Sequence, residues 1–266
     1  MEKRIGNIAL LALVVMSISV FAVSCAADIA SDGRTVADTC KDAVTTVHLV
    51  LETKVSYQGG SDKEQHKVTS TATIIDPSGL AVTSLSDIDP TLFTSYMEQD
   101  ESYSMSVDVV DLKLKLSDGT EIPADIVLRD KDLDLAFIKP KTAPEKPMTY
   151  VDLAKAGAPQ MLDELIVISR LGQIANRALA AYVDRVQAVL TKPRTLYVVS
   201  GVFGLGSPTF TPDGKIVGIV VIRVDQSQDS DSTSRSMGYG DSLYVVIPAS
   251  TIAKAALQAK EAAAAK

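Results

Sequence analysis

The sequence predicts an all-β protein in two similar halves, closed by a C-terminal α-helix. Three observations carry this. Short β-branched runs broken by tight-turn residues fill the chain from Val44 onward. A Pro-rich stretch, Thr-Ala-Pro-Glu-Lys-Pro at 142–147, interrupts them near the middle, and the same texture then resumes. The final segment changes period: Pro248 to Lys266 is rich in Ala and Lys, with Ile252, Ala256 and Leu257 on one helical face.

Taken in order, Val44–Val55 reads as the first strand, and Gln58–Lys67 as a polar loop. Val68–Ile75 alternates as Val-Thr-Ser-Thr-Ala-Thr-Ile-Ile and ends in the turn tetrapeptide Asp76-Pro77-Ser78-Gly79, after which Leu80–Thr83 resumes as a strand. Thr91–Ser106 reads as a surface loop. Val107–Leu116 alternates apolar and charged residues up to the Ser117-Asp118-Gly119 turn, and Ile122–Leu128 and Leu133–Ile138 follow. Beyond the Pro-rich break come Leu165–Ser169, Ala178–Leu190, Thr195–Val199, Ile216–Val224 and Leu243–Ile247, with Gln226–Met237 as an exposed Ser/Asp/Gln run. Many short strands with tight turns and no long intervening helix indicate a sandwich or barrel. The expected layout is a signal peptide over 1–24, a linker over 25–43, a first barrel over 44–145, a second over 146–250 and a helix over 251–266.

The 266 residues are 46% hydrophobic, ample for a large core, and 22% charged, as in globular chains. There is no Trp, so Val, Ile, Leu and Ala must fill that core. A formal charge of −7 argues against a nucleic-acid partner, which would call for a clustered basic face.

At the N-terminus, Lys3 and Arg4 precede an apolar run from Ile8 to Val23, followed by the small residues Ser24, Cys25, Ala26 and Ala27: an export signal. The run is short for a membrane span. Two processing routes fit. Ala22-Val23-Ser24-Cys25 resembles a bacterial lipobox, with Cys25 lipidated and first in the mature chain, although Ala stands where Leu is usual. Ordinary cleavage nearby, for instance after Ala26, is the other. Removing 1–24 takes away Lys3, Arg4 and Glu2, a net loss of one positive charge, and leaves −8. With Cys25 lipidated, Cys40 is the one remaining thiol; with Cys25 free, a Cys25–Cys40 bridge is conceivable. Cys40 has no His beside it and reads as a structural thiol rather than a nucleophile.

Five segments, in order, resemble trypsin-like serine proteases of the bacterial HtrA/Deg type. Thr71–Thr83 is similar to that family's Gly-Ser-Gly-hydrophobic-Ile-Asp-x-x-Gly-x-hydrophobic-Val-Thr hairpin. Leu116-Ser117-Asp118-Gly119 through Ala124, then Asp132–Lys139, is similar to its Leu-x-Asp-Gly…Asp-Leu-Ala-Val-Leu-Lys segment. Ala154–Leu171 resembles the opening of the family's second barrel. Gly206-Ser207-Pro208 with Asp213–Ile219 resembles Gly-Gly-Pro-Leu-x-x-x-x-Gly-x-Val-Ile-Gly-Ile, and Tyr244–Ser250 resembles the closing Phe-Ala-Ile-Pro-Ser. The resemblance spans roughly 44–258 and implies a trypsin-like double six-stranded β-barrel with a short C-terminal α-helix. The peptide-binding module that often follows such proteases has no counterpart after Pro248.

The family's chemistry needs a serine activated by a histidine, an aspartate fixing the imidazole, and two backbone N–H groups for the oxyanion. Carried over residue by residue, the histidine position is Ser86, the aspartate position is Asp134 and the nucleophile position is Leu205. Phe203 replaces the glycine that helps form the oxyanion hole. Leu205 has no nucleophilic atom, a Ser86 hydroxyl is far less basic than imidazole, and Phe203 carries a Cβ where glycine is usual. The resemblance therefore implies a pseudoprotease. Asp134 also has a plain structural reading, a carboxylate accepting backbone hydrogen bonds at a strand start.

The two histidines do not restore the triad: His48 reads as a partly buried or edge strand residue, and His66 as a solvated loop residue. Ser207 would need a register slip against the fixed step from Pro208 to Gly214. Asp225, Asp229 and Asp231 lack the glycine and Glu of a calcium loop, so no metal is expected. No phosphate-cradling glycine loop opens a helix, so no cofactor is expected either. The leading expectation is a binding or scaffold protein of the periplasm or outer cell envelope, lipid-anchored where the lipobox is used. It would hold an extended peptide or envelope protein between the barrels, with Leu205, Phe203 and the Phe93/Tyr96/Met97 loop as an apolar surface. The alternatives are an active serine endopeptidase with a divergent site and a purely structural lipoprotein.

Overall fold

The computed structural model describes residues 28–57, 59–89, 103–201, 204–224 and 242–264. The signal peptide, Cys25, Phe93, Tyr96, Met97, Phe203 and the 226–237 run lie outside them. The first barrel comprises β1 (Val44–Tyr57), β2 (Gly60–Ile74), β3 (Ala81–Ser84), the one-turn helix α2 (Leu85–Ile88), β4 (Tyr103–Lys115), β5 (Glu121–Asp130) and β6 (Leu135–Pro140). It closes in the order β1-β2-β3-β6-β5-β4. Alternation along β1 sends Val47, Leu49 and Leu51 into a core with Ile74, Leu112, Leu114 and Ile138. Burying each such side chain contributes about 1.5–3 kcal/mol.

The stretch expected as a loop at 58–67 is instead the outer half of a hairpin, since β2 runs 15 residues from Gly60. Its residues from Gly60 to Lys67 are all exposed, so no buried face imposes the period-2 pattern that identifies a strand. His66 accordingly lies on an exposed strand rather than in a loop.

The second half contains β7 (Glu164–Arg170), β8 (Leu179–Arg185), β9 (Ala188–Leu190), β10 (Leu196–Val198), β11 (Pro208–Phe210), β12 (Ile216–Val224) and β13 (Ser242–Pro248). These form a seven-stranded sheet in the order β8-β7-β11-β12-β13-β10-β9, where six strands were expected. The physical reason is a bend. β8 and β9 are separated only by Val186 and Gln187, where the chain leaves β7 and joins β10, and Gln187 N–H donates to Val198 O at 2.8 Å. Counted as one bent strand, β8–β9 closes the sheet on itself. The order then reads first-second-third-sixth-fifth-fourth, the same as in the first barrel. The trypsin-like double β-barrel expected from the resemblance is the observed fold.

Two further helices flank the barrels. α3 (Ala249–Ala264) buries Ala249, Ile252, Ala255, Ala256 and Ala259, spaced by three or four residues, against β12, β13 and the β5–β6 side of the first barrel. The linker expected over 25–43 contains α1 (Ile29–Cys40), whose Asp28 side chain caps Ala30 N–H at 3.1 Å. Val36 and Cys40 on one face of α1 pack with Ile166, Ile168 and Phe210, so the segment belongs to the fold. Burial pushes the Cys40 thiol up to about 12.

Candidate functional site: a filled carboxylate between two barrels

β3 ends at Ser84, opposite Leu135 of β6, so α2 begins beside the residue that precedes β6. That residue is Asp134, whose φ of 56° is unusual for a side chain other than glycine, asparagine or aspartate. Its carbonyl accepts Leu85 N–H at 3.0 Å, and the residue is only 3% exposed.

Four donors converge on that carboxylate. Ser86 N–H and Ser86 Oγ both donate to Oδ1 at 2.7 Å. Ser84 Oγ donates to Oδ2 at 2.7 Å, and Ile222 N–H of β12 reaches Oδ2 at 3.4 Å. Burial raises the Asp134 pKa, opposed by the hydroxyls of Ser84 and Ser86 and by the two backbone donors. Asp87, one residue beyond Ser86, is also raised by burial, with the Ser70 hydroxyl opposing and the Asp134 charge adding to the rise. Arg223 lies close enough for the Asp134 charge to favour its cation, although burial lowers its pKa more.

Ser86 and Asp134 are thus brought into direct contact, and the structure adds two partners that sequence reasoning missed, Ser84 and Ile222. A serine two residues before Ser86, at a strand end, was a readable signal; the backbone N–H of Ile222 was not. Leu205 is half-buried and packs on the second-barrel core of Val167, Tyr197, Val220 and Val246. It presents only carbon. Neither His48 nor His66 is among the groups acting on Asp134.

One hydroxyl ties the turn holding Leu205 to the first barrel, and others brace β2 beside it. Thr73 Oγ1 donates to Gly206 O at 3.2 Å, Thr83 Oγ1 to Thr71 O at 2.7 Å, and Thr71 Oγ1 and Ser169 Oγ lie 3.4 Å apart. Gly206 has φ +79°, and a Cβ there would stand 2.1 Å from Thr71 O. Ser207, the alternative nucleophile, is fully buried with a hydroxyl that has no hydrogen-bond partner. An enclosed hydroxyl without a base cannot attack a substrate. Among the described residues no three His, Cys, Asp or Glu side chains converge as a metal site, and Asp225, Asp229 and Asp231 lie outside them. Two grooves on the surface lie elsewhere: neither is lined by Ser86, Asp134 or Leu205.

No family model matches the sequence, and no curated protein does. Among solved structures, this chain is similar to the MamO protease domain from Magnetospirillum magneticum in its apo form. The TM-score is 0.48 at 16% identity, covering 81% of this chain and 96% of that one. The fold assignment rests on the strand order of the two barrels, which is that of a trypsin-like double β-barrel.

Proposed function

We propose that this chain is an exported pseudoprotease derived from the HtrA/Deg-type serine proteases, acting as a binding or scaffold protein of the cell envelope. The observation that carries this reading is the state of Asp134. Both donors of Ser86, at the position of the family's histidine, end on the Asp134 carboxylate, and the nucleophile position is a leucine. Among the described residues, the donors on the carboxylate are the Ser84 and Ser86 hydroxyls and the N–H groups of Ser86 and Ile222, none of them an imidazole.

Binding of an extended peptide by strand addition has a structural basis in β12. Its pairing with β11 ends at Ile219, while β13 covers its other side as far as Val224. Beyond Val220, among the described residues, the long bond from Ile222 N–H to Asp134 is the contact made on the open side. Attachment to a membrane through lipid on Cys25 belongs to the same reading.

The test is twofold. A fluorophosphonate probe should leave the mature domain unlabelled, because no activated serine is present, whereas stoichiometric labelling would favour the active endopeptidase. Intact-mass measurement of the cell-derived protein should show a chain beginning at a lipid-modified Cys25 and lost from the membrane fraction in Cys25→Ser. A chain beginning at Ala27 would replace lipid anchoring with simple export.

A further inference from the structure

The chain carries a formal charge of −7, yet one groove of its surface is cationic. Its volume is about 800 Å³, within the range of small-molecule sites. The floor is the outward face of the first barrel, where cross-strand rows set Thr46 beside Lys115, His48 beside Lys113 and Thr69, and Val50 beside Lys67. The wall is the end of β7, which contributes Arg170, and the turn after it, which contributes Asn176 and Arg177.

The two arginines are held in place by their own hydrogen bonds. Arg170 donates to Val44 O at 2.9 Å and to Lys41 O at 2.6 Å, and Arg177 donates to Thr69 Oγ1 at 3.2 Å. The carboxylates nearby do not balance the cations. Glu121 is shared between Lys113 at 3.5 Å, Lys115 at 3.9 Å and His48 at 3.7 Å, and Asp111 approaches Lys113 at 3.6 Å. Asp118 turns back to cap Thr120 N–H at 2.8 Å, and Asp42, whose charge acts on Arg170, accepts Ser117 Oγ at 2.6 Å; these four carboxylates face five cations, Lys67, Lys113, Lys115, Arg170 and Arg177. Among the described residues, Lys67, Arg170 and Arg177 have no carboxylate within salt-bridge reach. The floor also holds a buried polar atom without a hydrogen-bond partner, His48 Nε2.

We propose that this groove is a binding site for a small ligand carrying two or more oxyanion groups. Lys67 and Arg177 supply charge not neutralised by the protein itself, and Arg170 supplies a fixed guanidinium. Clustered, pre-positioned cations on an otherwise acidic protein give a local field that attracts such a ligand and a geometry that holds it. The site is separate from the remnant around Asp134, so it stands whether or not that remnant binds a peptide.

The groove's field is visible at His48. Burial lowers its pKa most, followed by the charges of Arg177 and Lys115, with Lys113 adding and Glu121 opposing; Lys67 and Asp111 lie one row along. An oxyanion among these cations should therefore raise the His48 titration. The chain has just two histidines, and of these only His48 lines the groove.

The experiment is calorimetric titration of the purified mature protein at low salt with pyrophosphate and, separately, with citrate. Saturable binding of either is expected, and which one binds distinguishes phosphate from carboxylate recognition. The double variant Lys67→Gln/Arg177→Asn should weaken it at least about tenfold, the asparagine tolerating the φ of 54°. Lys141→Gln, in the separate groove between β4 and β5, should leave it unchanged. In the wild type, saturating ligand should move the His48 imidazole titration upward. No saturable binding of either anion up to about 10 mM, equal affinity in the double variant, or an unmoved His48 would each overturn the proposal.

Discussion

Ser86 donates twice to one oxygen of Asp134, through its N–H and its Oγ, both at 2.7 Å. In a working triad the hydroxyl's place belongs to an imidazole that passes a proton onward. Here the short side chain ends the chain of hydrogen bonds at the carboxylate, and Asp134 becomes a structural acceptor joining β3, α2 and β12. That relationship sets the order expected for three variants. Ser86→Ala removes one hydroxyl donor and should cost about 1–2 kcal/mol in denaturant unfolding. Asp134→Ala strands the donors of Ser84, Ser86 and Ile222 and should cost about 3 kcal/mol or more. Leu205→Ala, at a half-buried side chain, should fall between about 1 and 3 kcal/mol.

The pH dependence has a definite sign. The Asp134 and Asp87 carboxyls are both raised by burial, so the native state holds protons that the unfolded chain has released. Stability from these groups is fully present below the unfolded carboxyl pKa of about 3.9 and is lost as pH rises through the raised native values. Carbon-13 titration of the aspartate carboxyls should show two late-titrating resonances, one of them absent in Asp134→Asn. The pH-stability slope in that window should be less negative in the same variant.

Two glycines with similar backbone angles should respond differently to alanine. Gly119 has φ +89° with nothing within 4 Å of an added Cβ, so Gly119→Ala carries only the conformational penalty of about 1 kcal/mol. Gly206 has φ +79° with Thr71 O at 2.1 Å from that Cβ. Gly206→Ala must push the Leu205 turn away from β2 and should cost several times as much, read as a lower midpoint in thermal unfolding.

Cys40 should resist thiol reagents. Its side chain is buried between α1 and the second barrel and its pKa is pushed up to about 12, so almost no thiolate exists at pH 8. Labelling by a maleimide should proceed only with unfolding, at a rate that rises with denaturant.

Strands whose residues are buried on both faces are legible in the sequence as continuous apolar runs: the expected Ile216–Val224 matches β12 to the residue, and the expected Leu165–Ser169 matches β7 to within one residue at either end. Segments lacking such burial are not. The outer half of β2 is solvated on both sides, and β11 spans only Pro208–Phe210, too short for any period to show. At the site, the resemblance assigns the triad's histidine and aspartate positions to Ser86 and Asp134, which the structure places in contact. Ile222 could not be found that way, because a backbone N–H from β12 leaves no trace in residue type. The cationic groove was equally hidden: Lys67, Lys113 and Arg177 lie far apart in sequence, and only the pairing register and the turn after β7 assemble them.

The central claim, that the catalytic machinery is gone, is tested most directly by exposing a diverse peptide pool to the purified mature domain and reading products by mass spectrometry. Asp134→Asn and Ser207→Ala, checked for folding by circular dichroism, serve as parallel samples. The account predicts product maps for all three that match buffer alone. Cleavage by the wild type that disappears in either folded variant would contradict it and identify an active endopeptidase.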